Sequence, residues 1–417
     1  MTQTALPWIA ALLFALAVLH TFSTRFFERL AHTQPQHAGL WHLLGEVEVV
    51  FGFWALVLAV AMFAVLGPTP TIDYLNSRDF TEPLFVFAIM VVAGTRPILQ
   101  ACGVLVQILA RALPMHTGLA SYFLLLSFVP LLGSFITEPA AMTLAALMLR
   151  DSVLSQPISE RLKYLTLAVL FVNVSIGGTL TPFASPPVLM VADTWGWDLS
   201  AMMTLFGWKA ALATTINAAV LTVLARRELQ ALDALPSIRF TVPPTLVAVH
   251  GLFLLGIVLS AHHPVVFIGL LLFFIGYATA YAEHQDRLIL REALLVAFFL
   301  AGLVVLGGQQ AWWLQPLLMG LSADAVFYGA TLLTAVTDNA ALTYLASLVP
   351  GLSDEFKIAV VAGAVTGGGL TVIANAPNPA GMAILKGRFH QGVVNAGKLF
   401  IAAIPPTLVA ASAFRML

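Results

Sequence analysis

Apolar runs long enough to cross a lipid bilayer recur along nearly the whole chain, and short polar loops separate them. A helix needs about 20 apolar residues to cross the hydrocarbon core, so the pattern predicts ten crossings. The predicted spans are residues 5–22, 45–66, 83–108, 161–197, 201–224, 244–260, 264–281, 289–306, 356–385 and 394–414. These spans leave no stretch for a large soluble domain.

Two further apolar segments are too long for one helix, and each carries a polar interruption near its centre. Residues 118–149 contain Thr-Glu-Pro at 137–139, and residues 323–349 contain Thr-Asp-Asn at 337–339. Irregular backbone at membrane depth persists only where protein or a water-lined cavity satisfies its polar groups. Each segment is therefore predicted to be a re-entrant helical hairpin that enters and leaves on one side of the membrane.

The chain also contains an internal duplication. Residues 136–143 reappear as residues 336–343, and residues 177–187 match residues 367–377 at six of eleven positions. Each half then holds three helices, a hairpin, a broken helix and a last helix. Because five crossings is an odd number, the second half is predicted to be inverted relative to the first.

The resulting fold class is an all-α polytopic membrane protein with two inverted repeats. The first repeat covers residues 1–230, with a hairpin at 118–149 and a broken helix at 161–197. The second repeat covers residues 240–417, and its hairpin and broken helix are residues 323–349 and 356–385.

The distribution of Lys and Arg sets the predicted orientation. With the N-terminus outside the cell, three basic residues lie on the outer face, namely Arg78, Lys357 and Arg415. Fourteen lie on the opposite face: Arg25, Arg29, Arg111, Arg150, Arg161, Lys163, Arg226, Arg227, Arg239, Arg287, Arg291, Lys386, Arg388 and Lys398. Cytoplasmic loops carry the excess of positive charge, so both termini are expected outside the cytoplasm. The expected location is a bacterial inner membrane.

Composition excludes several classes of protein. Hydrophobic residues make up 60% of the 417 positions, charged residues 9%, and the mean hydropathy is +0.94, which excludes a soluble protein. The chain has one cysteine, Cys102, and therefore no intramolecular disulfide. No basic run is long enough to indicate a nucleic-acid partner.

The hairpin tips and helix breaks supply the candidate site. A charge in hydrocarbon costs several kcal/mol, so intramembrane acids at both tips indicate a function, although a structural pair is the alternative. Proline-rich breaks free backbone carbonyls, and a sodium-type ion prefers hard oxygen ligands. The predicted cation- and proton-binding residues are Thr137, Glu138, Gly178, Thr181, Ser185, Thr337, Asp338, Asn339, Thr371, Asn375 and Asn378, with Glu138 and Asp338 as the charged ligands of transported sodium.

Three features have more than one interpretation. Gly178 and the other glycines of the breaks serve either close helix packing or the geometry of an ion site. Arg96, followed by Pro97, either neutralises a transport carboxylate or pairs with a backbone carbonyl at a kink. Glu46 lies at the cytoplasmic start of the second span, and it either has an interfacial role or lines a path for ions.

The order of tip, Pro-rich break, second tip and second break resembles the ion transporter superfamily, which includes sodium/dicarboxylate symporters, arsenite carriers and sodium/proton antiporters. The resemblance covers residues 118–189 and 323–387. The symporter branch has Ser-Asn-Thr at its tips, whereas both tips are acidic here, so the chain most resembles the sodium/proton antiporter branch, related to the divalent anion/sodium symporters. This resemblance implies an elevator-type homodimer.

We therefore expect a secondary active transporter that exchanges sodium for protons, because each acid binds a proton or a cation but not both. A sodium- or proton-coupled symporter of a small anion such as a dicarboxylate is the alternative. An enzyme is not expected, because no His-Glu-x-x-His motif or recognisable catalytic pair is present. The expected partners are the lipid bilayer, small inorganic ions and a second copy of the chain, and no resident cofactor is expected.

Overall fold

The computed structural model describes residues 2–230 and 241–417, and none of these residues forms a β-strand. The predicted boundary between the repeats and the basic residue Arg239 lie outside the described residues. The α-helices before this boundary are α1 (Thr2–Thr21), α2 (Thr24–Thr33), α3 (Ala38–Leu44), α4 (Val47–Leu66), α5 (Pro68–Asn76), α6 (Thr81–Ala93), α7 (Arg96–Ala112), α8 (Thr117–Leu126), α9 (Phe128–Ile136), α10 (Glu138–Asp151), α11 (Glu160–Gly177), α12 (Pro186–Trp195), α13 (Leu199–Met202), α14 (Trp208–Leu224) and α15 (Arg226–Gln230).

The second half contains a shorter series of helices. They are α16 (Pro244–Leu259), α17 (Pro264–Ala280), α18 (Leu290–Gly307), α19 (Ala311–Leu318), α20 (Ala323–Thr334), α21 (Asn339–Ser347), α22 (Asp354–Gly367), α23 (Asn378–Leu385) and α24 (Ala396–Met416). A π-helical stretch, Met203–Gly207, joins α13 to α14.

The chain has the helix lengths and apolar composition of a polytopic membrane protein. In the described part of the chain, five helical runs are long and apolar enough to cross a membrane: Val47–Leu66, Glu160–Leu180, Leu199–Leu224, Leu290–Gly307 and Ala396–Met416. Three shorter apolar helices, Ala5–Thr21, Pro244–Leu259 and Pro264–Ala280, also match predicted spans. The total of ten crossings stays a prediction.

The span predicted over residues 83–108 is divided between two helices, α6 and α7. The chain bends by 66° between the end of α6 at Ala93 and the start of α7 at Arg96. Thr95 has an extended backbone, and Pro97 follows in the first turn of α7, where proline starts a helix more readily than it continues one. The buried residues of α7 include Ile98, Val106 and Ala110, spaced as expected for one helix face. α7 is therefore a separate amphipathic helix that precedes the first hairpin, and a crossing formed by α6 and α7 together stays a prediction.

Both predicted hairpins are present as two helical arms joined at a polar tip. In the first hairpin, α8 and α9 form one arm with a bend of 43°, and α10 forms the other. In the second hairpin, α20 and α21 are the arms, and residues 335–338 separate them.

Both predicted helix breaks are also present. α11 ends at Gly177 and α12 begins at Pro186, while α22 ends at Gly367 and α23 begins at Asn378. Proline lies in the first turn of both α12 and α23, where its missing N–H has no intrahelical partner to lose. The two breaks leave backbone groups without helical partners at the level of the hairpin tips.

The helices form two packing groups. In the six-helix group, α4 packs against α1 and α18, α17 packs against α16 and α6, and α18 packs against α6. The hairpin group contains both hairpins, both broken helices, α14 and α24. α10 packs against α23, and α21 packs against α12, so each hairpin contacts the broken helix of the other half. This exchange brings each tip close to a break from the opposite half.

Candidate functional site

Glu138 lies at the centre of the hairpin group, as the first residue of α10. It is fully buried, and its Oε2 accepts a hydrogen bond from Asn375 Nδ2 at 2.8 Å. Its second oxygen, Oε1, has no hydrogen-bond partner. Ser185, which precedes α12, lies beside the carboxyl group, but its hydroxyl makes no hydrogen bond of ordinary geometry. A buried carboxylate with an unpaired oxygen is unstable unless another group or ion compensates its charge.

Thr137 holds the tip in a strained backbone conformation. Its φ is +75° and its ψ is 150°, a region that residues with a branched Cβ rarely occupy. Such a conformation costs about 1–3 kcal/mol and persists only where the surrounding structure enforces it. This conformation directs the start of α10 toward the break in the second half, where the Glu138 side chain contacts Asn375. Thr137 Oγ1 is buried and has no hydrogen-bond partner.

Gly178 provides the space that the Glu138 carboxyl group occupies. A Cβ built at this position would lie 2.7 Å from Glu138 Cγ and 2.9 Å from Cδ. Gly178 therefore leaves room for the Glu138 side chain, and its part in an ion site stays a prediction. Close packing explains Gly177, which abuts the backbone of Pro130, and Gly369, which abuts the backbone of Val172.

Buried polar atoms without partners concentrate around the tips and breaks. Native proteins contain few such atoms, and a cluster of them calls for an explanation. Among the described residues, the cluster comprises Thr137 Oγ1, Glu138 Oε1, Ser185 Oγ, Thr334 Oγ1, Thr337 Oγ1, Asn339 Oδ1 and Nδ2, Thr366 Oγ1, Asn375 Oδ1 and Asn378 Oδ1. Nearly all of them are oxygens, the ligand atoms that hard cations prefer.

Other predicted site residues hold the breaks in place. Thr181 Oγ1 donates to Ser134 O at 2.5 Å, and Thr371 Oγ1 donates to Ala335 O at 2.8 Å. Each threonine thus ties its break to the hairpin of its own half. Asn378 Nδ2 donates to Gly368 O and Thr371 O, both at 2.8 Å, and so satisfies carbonyls that the break has freed. These three residues shape the site, and their oxygens retain free lone pairs.

Asp338 does not occupy the position in the second half that Glu138 occupies in the first. Asp338 is the N-cap of α21, where its Oδ1 accepts from Ala340 N at 2.8 Å, and it is only half-buried. The next residue, Asn339, is fully buried, and its amide lies against Gly368, as Glu138 lies against Gly178. The sequence pairs Glu138 with Asp338, whereas burial and the glycine contacts pair Glu138 with Asn339.

Asp338 instead faces small cavities at the boundary with the six-helix group. One, of about 80 Å³, is lined by Thr337 and Asp338 and by apolar residues of α1, α4 and α18. Another, of about 20 Å³, is lined by Glu48, Asp338 and Asn375. Sequence reasoning did not assign Glu48 to the site. The signal was available, because Glu48 is an acid in the first turn of an apolar span.

A larger cavity approaches the first break from the opposite direction. It measures about 420 Å³, and its lining includes Glu82, Asp193 and Phe183. Phe183 also lines a cavity of about 10 Å³ that contacts Thr137 and Pro139 at the first tip. The tip of the first hairpin is thus separated from the larger cavity by a narrow, mostly apolar constriction.

The two accessory candidates lie away from the buried centre. Arg96 opens α7, and its Nη2 donates to Thr241 Oγ1 at 2.9 Å. Within the described residues its side chain bonds neither a carboxylate nor a backbone carbonyl. Glu46 is the N-cap residue of α4 and forms an ion pair with Arg291 of α18. Glu46 does not line the cavity that Glu48 lines, which favours an interfacial role for it.

A family model described as "Putative Na+/H+ antiporter" matches residues 5–417, which is nearly the whole chain. A comparison with curated proteins finds no match. A match of this extent shows membership, and the chain therefore belongs to the putative Na+/H+ antiporter family of membrane transport proteins.

Proposed function

We propose that the protein is a secondary active transporter that exchanges sodium for protons by moving the hairpin group against the six-helix group. The hairpin group is the transport domain in this proposal, and the six-helix group is the scaffold. The active form is a homodimer in a bacterial inner membrane, with both termini outside the cytoplasm. No resident cofactor is required, since sodium and protons are the transported substrates.

The observation that carries the proposal is the Glu138 carboxyl group. It is fully buried, one of its oxygens is unpaired, and unpaired oxygens of Thr137 and Ser185 belong to residues beside it. A carboxylate in this position needs a positive partner, and a sodium ion and a proton each supply one. A purely structural role for Glu138 does not explain why several neighbouring oxygens also lack hydrogen-bond partners.

Competition for Glu138 is sufficient to couple the two fluxes. A proton on the carboxyl group removes the negative charge that holds sodium, and bound sodium disfavours protonation. The site is therefore loaded with one ion or the other. Because the two loaded forms have the same net charge at Glu138, both can cross the hydrocarbon region at similar cost.

The two packing groups support motion as separate bodies. Each hairpin is tied to its broken helix by a threonine, and the hairpins contact the opposite broken helices, so the hairpin group is internally connected. The cavities beside Asp338 are lined largely by apolar side chains such as Phe299 and Ile373, which form few directional contacts that would resist sliding. Rigid-body movement of one repeat-derived unit past another is the usual route to alternating access.

Antiport in proteoliposomes tests the proposal. Wild-type vesicles with an imposed pH gradient receive sodium, lithium, potassium or a dicarboxylate, and a pH-sensitive dye reports the loss of the gradient. Glu138→Gln keeps the shape of the side chain but cannot titrate, so we expect exchange to fall to the level of empty liposomes. Asp338→Asn is expected to impair exchange less severely, because Asp338 is only half-buried. Glu292→Gln removes an exposed acid in α18 and is the control.

Three results would contradict the proposal. Exchange by Glu138→Gln at the wild-type rate would exclude this carboxyl group as the shared site. An apparent sodium affinity that does not change with pH would exclude competition with protons. Uptake of a dicarboxylate that requires sodium, without dissipation of the pH gradient by sodium alone, would identify a symporter instead.

A further inference from the structure

A small cavity with a few polar lining residues lies at the boundary between the six-helix group and the hairpin group. Its volume of about 20 Å³ is large enough for one water-sized particle. Glu48, in the first turn of α4, lines it from the six-helix group, while Asp338 and Asn375 line it from the hairpin group. Its other walls are apolar, and they include Val296, Phe299 and Val372.

Two acids and one amide line this cavity, no basic residue lines it, and Arg291 lies within electrostatic range of Glu48. Asp338 uses Oδ1 to cap α21, and Asn375 uses Nδ2 to bind Glu138. Asn375 is 1% exposed, and its Oδ1 has no hydrogen-bond partner. The nearest basic side chain on the neighbouring α18, Arg291, forms its ion pair with Glu46. Two carboxylates and an amide oxygen thus face one cavity with little water to separate their charges.

We propose that Glu48, Asp338 and Asn375 form a second site for a dehydrated monovalent cation, distinct from the site at Glu138. A cation here neutralises part of the repulsion between the two carboxylates and supplies the missing partner of Asn375 Oδ1. The proposal rests on the proposed function only for the choice of sodium as the cation.

The site is divided between two bodies, and this division has a consequence for transport. Glu48 belongs to α4 and stays with the six-helix group, whereas Asp338 and Asn375 move with the hairpin group. The complete set of oxygens exists only in the arrangement described here, so a cation bound there stabilises this arrangement relative to others. Asn375 also contacts Glu138, which places the second site next to the first along one path.

Sodium binding to the purified full-length protein tests the proposal. Isothermal titration with sodium chloride, with choline chloride as the ionic-strength control, is expected to show two classes of site in the wild type. Glu48→Gln removes a carboxylate from one of the two classes of sodium site. The sodium affinity of that class should fall by at least about tenfold, while the affinity of the other class is unchanged. Glu292→Gln removes an exposed acid of α18 outside the cavity and should retain both classes. An isotherm for Glu48→Gln that matches the wild type would overturn the proposal.

A second measurement covers the case in which Glu48→Gln does not fold. Glu48→Cys and Asp338→Cys, combined in a Cys102→Ser background, place two thiols across the cavity. Cadmium binds thiolates tightly, so it is expected to stop whatever exchange the double variant retains. A chelator should restore that rate of exchange. Each single variant should resist cadmium. No effect of cadmium on the double variant would show that the two positions do not share a site.

The outcomes separate this inference from the proposed function. If the wild type exchanges sodium for protons and Glu48→Gln binds sodium as the wild type does, the second site is wrong and antiport stands. If the wild type shows no exchange while Glu48→Gln loses one class of sodium site, the second site stands and antiport is wrong.

Discussion

Replacement of Gly178 by alanine tests the geometry of the buried carboxyl group with a single methyl group. Gly178 has φ −74° and ψ −3°, which alanine adopts without strain. The added Cβ would lie 2.7 Å from Glu138 Cγ and 2.9 Å from Cδ, whereas non-bonded carbon atoms are most stable about 3.5–4.0 Å apart. The carboxyl group must therefore retreat by roughly 1 Å.

The energetic cost of this displacement follows from the contacts of Glu138. Its hydrogen bond from Asn375 is 2.8 Å long, and a shift of roughly 1 Å takes it beyond the range of a hydrogen bond. A hydrogen bond to a charged group contributes about 1.5–3 kcal/mol. If the bound cation requires the same carboxyl position, its apparent affinity should fall by roughly 10- to 150-fold.

The assay is the sodium concentration that half-maximally dissipates a pH gradient in proteoliposomes. Gly276→Ala in α17 is the matched control, because no atom lies within 4 Å of the Cβ it would add. Alanine is otherwise favoured over glycine in helices by about 0.5–1 kcal/mol, so neither variant should unfold for reasons of helix propensity. Equal sodium affinity in Gly178→Ala and Gly276→Ala would refute the placement of the carboxyl group.

Three further predictions follow from the same contacts. Ser185→Ala removes a hard oxygen without a change of charge, so sodium affinity should fall while the pH response remains, as measured by exchange at several pH values. Asn378→Ala leaves the carbonyls of Gly368 and Thr371 without their shared donor and should destabilise the protein by about 1–3 kcal/mol, seen as a lower melting temperature in detergent. Thr137→Gly should raise the melting temperature relative to Thr137→Ala, because only glycine relieves the φ of +75°, and equal melting temperatures would show that the tip is unstrained.

Much of the fold follows from two properties of the sequence. Apolar length locates most of the long helices, and polar residues in the middle of long apolar segments locate both hairpin tips and both breaks. Proline fixes where α12 and α23 begin, since it is tolerated in the first turn and not later. These features are local, and no knowledge of the packing is needed to find them.

The features that the sequence did not reveal depend on packing. Hydropathy averaged over residues 83–108 is insensitive to the 66° bend at Gly94 and Thr95, so two helices looked like one span. The repeat alignment pairs Glu138 with Asp338, but the helix after the second tip starts one residue later, and Asn339 takes the buried position. Glu48 joins the site only because α4 packs beside the second tip, and no spacing in the sequence records that contact.

The two tips differ in which residue is fully buried: Glu138 at the first tip and Asn339 at the second. This difference affects the net charge that the two tips together place in the membrane. Two acids at equivalent sealed positions would leave one negative charge uncompensated after one sodium ion or one proton had bound, and an unpaired charge in hydrocarbon costs several kcal/mol. Asn339 and Glu138 are the fully buried residues of the two tips, so in the proposed exchange one monovalent ion bound at Glu138 would neutralise the centre. Asp338 lies at the boundary with the six-helix group, where it lines a cavity together with Glu48. We infer that moving the second acid by one residue is what allows the hairpin group to be electrically neutral at its centre with either ion bound.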